Sequence, residues 1–269
     1  MAVSKSQLHH WAEFLFAMTE KEIKARYKFA WLGFLWIILN PLLQMLVIGF
    51  VFQFFVPVRV DNYFLFLFAG LLPWNFFSLS LTKTTPSIVF ERALIKKAMF
   101  PREAIILSII LSNLFHFVIS LLLVLVFSTA LTIYNNQLTS IHITETIFRI
   151  AAAVLAVGWV AILTSGLSLI TAALNVKFRD VNFMIQAVMP LWFYATPVVY
   201  TLDLLPRNLI FLAYLNPMTA VIELFQYSVV GRSPENAELW LISLLFTAVV
   251  IVLGGNFFQK ESRNFDDWV

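Results

Sequence analysis

Apolar runs of membrane-spanning length, broken by short polar inserts, set the plan of this chain. The first stretch, 1–28, is different. Trp11, Phe14, Leu15 and Met18 fall on one helical face, while Glu13, Glu20, Lys21 and Lys24 lie elsewhere. Glu20 with Lys24, and Glu22 with Arg26, have the i,i+4 spacing of helical ion pairs. This pattern predicts an amphipathic helix lying in the membrane interface. The alternative is a positively charged flank to the first span.

Six apolar runs follow, and each predicts a transmembrane helix. They cover 29–56, 63–81, 104–131, 147–174, 183–200 and 239–258. The first exceeds the roughly 20 residues a span needs, so tilt or a bend at Asn40-Pro41 is expected. Residues 57–62 read as a short turn and 135–144 as a polar loop. Thr164, Ser168 and Ala172 form a small-residue face, read as packing. The stretch 201–238 is neither a clean span nor an ordinary loop. Its apolar run, Asn216-Pro217 and an amphipathic run predict two half-helices dipping back into the membrane. The tail, 259–269, is polar. The fold class is therefore an all-α integral membrane protein with a six-helix domain over 29–258.

The insert 83–103 stands out. It carries Lys83, Arg92, Lys96, Lys97 and Arg102 against only Glu91 and Glu103. A helix is predicted over 87–99, opened by Pro86. Two readings stand: a basic loop that only orients the chain, or a docking helix for a cytoplasmic partner. Basic residues fix the orientation. Fourteen of the eighteen Lys and Arg fall at 1–28, 83–103, 175–182 and the tail; Arg59, Arg149, Arg207 and Arg232 fall opposite. Both termini are thus expected in the cytoplasm, with Tyr63, Tyr134, Tyr200 and Trp240 near the outer interface.

Composition agrees with this plan and narrows the chemistry. The chain is 61% hydrophobic and 12% charged, where a soluble domain has about 25% charged residues. No cleavable signal peptide is expected, because residues 1–28 carry both charge signs and no short apolar run before a cleavage site. Without cysteine there are no disulfides and no thiolate chemistry. His9, His10, His116 and His142 lack metal-ligand spacing, and His116 reads as a satisfied structural histidine. No acid lies mid-span, as ion-coupled transport usually requires; only Glu223, in the re-entrant stretch, has a doubtful setting, read most simply as a wetted loop. There is no nucleophile elbow, no paired catalytic acids and no GxxxxGK[ST] cradle. No catalytic, metal or nucleic-acid site is expected, and any ATP would be hydrolysed by another polypeptide. Trp36 and the cluster Trp192, Tyr194 and Tyr200 beside Pro190 and Pro197 offer rings and polar tips that stack on sugars, although packing is the commoner use of such residues.

Four strings, LIKKAMFPREAI (94–105), NVKFRDV (175–181), YATPVVY (194–200) and LNPMTAVIE (215–223), carry a resemblance. With the order of elements, they resemble the permease subunits of ABC-2 type polysaccharide exporters over essentially the whole chain. The resemblance implies a homodimer, two copies of a separate ATPase that binds ATP and Mg, and a bacterial cytoplasmic (inner) membrane location. It makes 83–103 a coupling helix, with Ile88, Phe90, Glu91, Arg92, Leu94, Phe100, Pro101 and Arg102 at the ATPase. It makes the first and fifth spans the channel walls, with Trp36, Trp192, Tyr194 and Tyr200 on the path. It makes 201–238 an outer gate that holds Asn216, Pro217 and Glu223. The implied cargo is an undecaprenyl-diphosphate-linked polysaccharide, O-antigen first, then capsule or teichoic acid. A drug or small-lipid exporter and a membrane glycosyltransferase are the competing classes; the latter would need an acid cluster that this sequence lacks.

Overall fold

The computed structural model describes the chain except residues 1–4, 29–32, 56–59, 61, 98–99, 135–139, 207–208, 211–212, 214, 234–237 and 266–269. Among the described residues the architecture is entirely helical. Helix α1 spans Lys5–Tyr27, and a 3-10 turn, Gly33–Leu35, leads into α2, Trp36–Phe55. Then come α3 (Tyr63–Thr84), α4 (Ser87–Phe90), α5 (Arg92–Lys97), α6 (Glu103–Tyr134), α7 (Ser140–Lys177) and α8 (Asp180–Ala195). A 3-10 turn, Leu202–Leu204, precedes α9 (Pro217–Val230) and α10 (Glu238–Ser262).

Among the described residues, four helices are long and apolar enough to cross a membrane: Tyr63–Thr84, Glu103–Ala130, Thr144–Lys177 and Trp240–Ser262. Two of the expected spans are shorter. Helix α2, Trp36–Phe55, begins after the turn at Gly33, whose φ is +45°, inside the run expected from residue 29. Helix α8 ends at Ala195, five residues earlier than the pattern suggests, where Thr196 turns extended. Pro197 two residues on cannot continue a helix. The expected turn at 57–62 and loop at 135–144 lie largely outside the described residues, although 140–144 already belong to α7.

Helix α3 is the axis of the bundle. Of its apolar stretch 72% is buried, against 28% for α10, which sits at the periphery. Phe66, Leu67, Leu71, Phe77 and Leu81 are nearly inaccessible. α9 packs on α3 and α7, α10 runs along α7, and α1 lies along α6. The α7–α10 crossing depends on glycine: a Cβ on Gly254 would stand 2.4 Å from the carbonyl oxygen of Gly166. Thr164, Ser168 and Ala172 are fully buried, as packing residues should be.

Prolines leave visible repairs. Pro41 cannot donate to the carbonyl of Ile37, four residues back. Ser120 of α6 offers its hydroxyl to that carbonyl at 3.4 Å, a long bond in the right place.

Candidate functional site

Three regions combine unusual chemistry with unusual exposure. The first is the joint between α8 and α9. Asn216 caps α9, its Oδ1 accepting from the Met218 N–H at 3.0 Å, with Pro217 in the first turn. The same oxygen accepts from Trp192 Nε1 at 3.0 Å. Its Nδ2 donates to Thr196 Oγ1 at 2.7 Å and to the Ala195 carbonyl at 3.4 Å. One buried amide thus closes four groups from two helices. Further ties surround it. Gln226 donates to the Pro197 carbonyl at 3.1 Å, and Tyr63 to the Val199 carbonyl at 2.8 Å. The strings around Pro197 and Pro217, distant in sequence, therefore form one structure.

Helix α9 is buried on nearly every side, which differs from a helix half in the interface. Its partner half-helix, within 207–215, lies mostly outside the described residues. Glu223 is 9% exposed, on a packed helix rather than in a wetted loop. It lines a small pocket of about 20 Å³ with Tyr200, Gln226 and Arg232. Arg232 pairs with Asp203 at 2.8 Å. Gly231 ends α9 with φ +80°, and a Cβ there would strike the Arg149 guanidinium at 1.6 Å. Arg149 also pairs with Glu145 at 2.7 Å.

The second region is the insert 83–103. The helix expected over 87–99 is two short helices broken at Glu91, while 98–99 lie outside the described residues. Glu91 leaves helical geometry (φ −90°, ψ 21°) and meets Lys21 of α1 at 2.7 Å. The break throws Phe90 outward, 77% exposed. Arg92 is exposed, and Leu94 is half-buried. The other proposed docking residues look elsewhere. Ile88 is fully buried. Phe100 stacks on Phe14 of α1, ring centroids 4.5 Å apart. Arg102 bonds the Ser262 carbonyl and covers the Phe265 ring. Pro101 is exposed. So Phe90, Arg92 and Pro101 face outward, while Ile88, Phe100 and Arg102 hold the insert in place.

The third region is a cleft of about 720 Å³ between α2, α3 and α6, with Arg26 of α1 at its edge. Asn40, Gln44, Asn75, Ser78, Thr82, Asn113, His116 and Ser120 line it, with Trp36. The sequence reading missed this cleft. Its signal was present as polar residues at helical spacing in three spans: 40 and 44, 75, 78 and 82, and 113, 116 and 120. His116 is buried, its Nδ1 hydrogen-bonded to the Ser112 carbonyl one turn back.

The four expected path residues do not share one wall. Trp36 lines the cleft. Trp192 is wedged edge-on against Phe77 at 5.1 Å and spends its N–H on Asn216. Tyr194 is 63% exposed. Tyr200 donates its hydroxyl to the Tyr194 carbonyl at 3.1 Å. Among the described residues no His, Asp or Glu cluster could hold a metal.

The profile of the family described as "ABC-2 type transporter" matches residues 13–230, most of the chain and all three regions. The chain belongs to the ABC-2 type transporter family. As a member it is a multi-pass membrane transport protein, not an enzyme. Among its relatives, an "O-antigen export system permease protein RfbA" of Myxococcus xanthus is 31% identical over 96% of each chain. A Klebsiella pneumoniae protein of the same name is 32% identical over 97% of this chain and 96% of its own. The Escherichia coli "Polysialic acid transport protein KpsM" is 23% identical over 88% of this ABC-2 chain and 89% of its own.

Proposed function

We propose that this chain is the membrane subunit of an ABC exporter that moves a lipid-linked polysaccharide, of the O-antigen class, out across the bacterial inner membrane. One observation carries the reading: the similarity to two O-antigen export permeases runs end to end, over 96–97% of this chain. In this reading two copies of the chain form the conduit and two copies of a separate ATPase bind ATP and Mg. α2 and α8 serve as short first and fifth spans, which makes six crossings with both termini cytoplasmic. The exposed Phe90 then faces the ATPase, and the joint built on Asn216 stands at the outer surface as a gate.

A capsule polysaccharide is the second reading, favoured by the similarity to KpsM. Deletion of the gene in its native host tests both. Loss of surface polysaccharide, with lipid-linked polymer accumulating inside and rescue by the wild-type chain, is the expected result. The serotype of the lost polymer separates O-antigen from capsule. Unchanged surface polysaccharide would overturn the proposal.

A further inference from the structure

The cleft between α2, α3 and α6 is expensive unless something polar fills it. Its walls belong to helices in the apolar part of the chain, where an amide without a partner costs several kcal/mol. Its internal hydrogen bonds close only part of the set. Asn75 donates to Gln44 at 2.7 Å, and Asn113 donates to Ser80 at 3.0 Å. Asn40 makes no side-chain hydrogen bond among the described residues and faces the open volume. An apolar occupant, a lipid tail or a greasy helix, would leave these amides stranded.

The charge at the edge narrows the ligand further. The sequence pattern offers Arg26 a carboxylate at Glu22, but the structure turns it away from that partner. The Arg26 guanidinium bonds the Asn113 side-chain oxygen, a neutral acceptor. No carboxylate among the described residues pairs with it. Thr82 belongs both to this cleft and to the adjoining pocket of about 340 Å³, where Lys83 sits with the carboxylates of Glu22 and Glu91. A half-buried guanidinium held by a neutral acceptor, with uncharged hydrogen-bonding groups beyond it, suits a phosphate followed by a sugar. Trp36 supplies a ring for the sugar face. The cleft volume falls within the range of about 300–1,000 Å³ typical of small-molecule sites.

We propose that this cleft binds the phosphate-and-first-sugar headgroup of a lipid-linked glycan, with Arg26 on the phosphate and Asn40, Gln44 and Asn75 on the sugar hydroxyls. The proposal rests on the polysaccharide-export reading and adds a place within the chain. It gives the headgroup a site on the first, second and third spans, apart from the rings of α8.

The test uses the full chain with its partner ATPase in lipid nanodiscs, and native mass spectrometry reads the lipid retained. Three probes are compared: polyprenyl diphosphate carrying one N-acetylhexosamine, polyprenyl diphosphate alone, and phosphatidylglycerol. The wild type should retain the sugar-bearing diphosphate best. Arg26→Gln should lower retention of both diphosphates about tenfold, the loss of one charge-assisted bond. Arg26→Lys, which keeps the charge, should fall by only about threefold and so shows that the loss is not misfolding. Ser78→Trp, which fills the cleft and leaves Arg26 in place, should abolish retention. Asn75→Leu should weaken only the sugar-bearing probe. Unchanged retention in both Arg26→Gln and Ser78→Trp overturns the site. Equal competition by phosphatidylglycerol overturns it too, because the cleft would then be a general lipid groove. If the variants lose the diphosphates but gene deletion leaves surface polysaccharide intact, the site stands and the export reading falls. If deletion abolishes export while the variants bind normally, the site alone falls.

Discussion

The α8–α9 joint and the insert 83–103 are both short polar stretches between apolar helices, yet they are built on opposite principles. The α8–α9 joint is neutral and closed. Asn216, Thr196, Gln226 and Tyr63 saturate one another and the backbone around Pro197, and Asn216 itself is 8% exposed. The insert is charged and open. Besides the buried Ile88 and the contacts of Arg102, it is held by a surface ion pair, Lys21 with Glu91, and a ring stack, Phe14 with Phe100. Its most prominent apolar side chain points away from the protein. Buried neutral bonds lose much when broken and resist salt. Exposed ion pairs contribute little and yield easily. The α8–α9 joint is thus built to hold one shape. The insert leaves Phe90 uncovered.

The sharpest way to break this contrast is Asn216→Ala. It strands Trp192 Nε1, Thr196 Oγ1 and the first turn of α9 at once. At about 1–3 kcal/mol for each buried group left unpaired, the loss should reach about 3–5 kcal/mol. Thermal unfolding of the purified chain should show it, with the yield of intact protein falling in step. Asn216→Asp keeps the acceptor for Trp192 and Met218 and should cost less. If Asn216→Ala melts with the wild type, the α8–α9 joint is not a rigid element.

Phe90→Ala addresses the other side. An exposed ring contributes nothing to the isolated chain, so its stability should not change. Association with the ATPase should weaken by about 2 kcal/mol or more if the ring is a hot spot. Co-purification and coupled ATP hydrolysis measure it. A drop in the melting temperature of the chain alone would show that Phe90 is part of the fold after all. Ile88→Ala gives the reverse: a core loss without a specific binding defect.

How far these two regions could be read from sequence follows from the same physics. Apolar runs announce spans because a bilayer demands them, so α3, α6 and α10 are legible to within about four residues, while α7 begins seven residues before its expected span, inside the stretch read as a polar loop. The small-residue face of α7 is legible as packing for the same reason. Where helices stop is decided by tertiary partners, and there the pattern overshoots. Residues 196–200 look apolar enough to extend α8, but Thr196 is extended and the chain turns at Pro197, where Asn216 bonds the Thr196 hydroxyl and Gln226 the Pro197 carbonyl. The insert reads as one helix because nothing in its own sequence marks Glu91 as a break; the ion pair with Lys21 crosses seventy residues. Arg26 has a tempting neighbour at Glu22 and instead reaches α6. Trp192 and Tyr194 are adjacent, aromatic and alike on paper. In the fold one is packed edge-on against Phe77 and the other is open. Changing Tyr194 rather than Trp192 is therefore the cleaner probe of a polymer path.

Gly231→Ala is a smaller perturbation at the end of α9. Its φ of +80° is a left-handed conformation that costs a residue with a Cβ about 1 kcal/mol or more. The new methyl would also push aside the Arg149 guanidinium, which can swing away from Glu145 at modest cost. A destabilisation of about 1–2 kcal/mol is expected, visible as a small melting shift with the ATPase contact unchanged. A defect in ATPase binding from this substitution would mean that the two regions are coupled within one chain.

The smallest effect belongs to Lys21→Ala. The pair with Glu91 is 2.7 Å long, but half of the lysine side chain and more than a quarter of the glutamate are accessible. In water such a pair contributes about 0.5 kcal/mol, and 1 M salt screens most of it. Stability should hardly move. The geometry of the insert should: without Lys21 the kink at Glu91 has lost its anchor on α1, and Phe90 loses its fixed presentation. ATPase association in Lys21→Ala should therefore fall by a few-fold at low salt, and wild type and variant should converge as salt is raised. Lys21→Arg keeps the pair and should behave as the wild type. If Lys21→Ala binds the ATPase as well as the wild type at low salt, the clamp between α1 and the insert is a surface contact without consequence. If the gap between the two proteins persists unchanged in high salt, the effect is not electrostatic and the lysine acts through its alkyl chain.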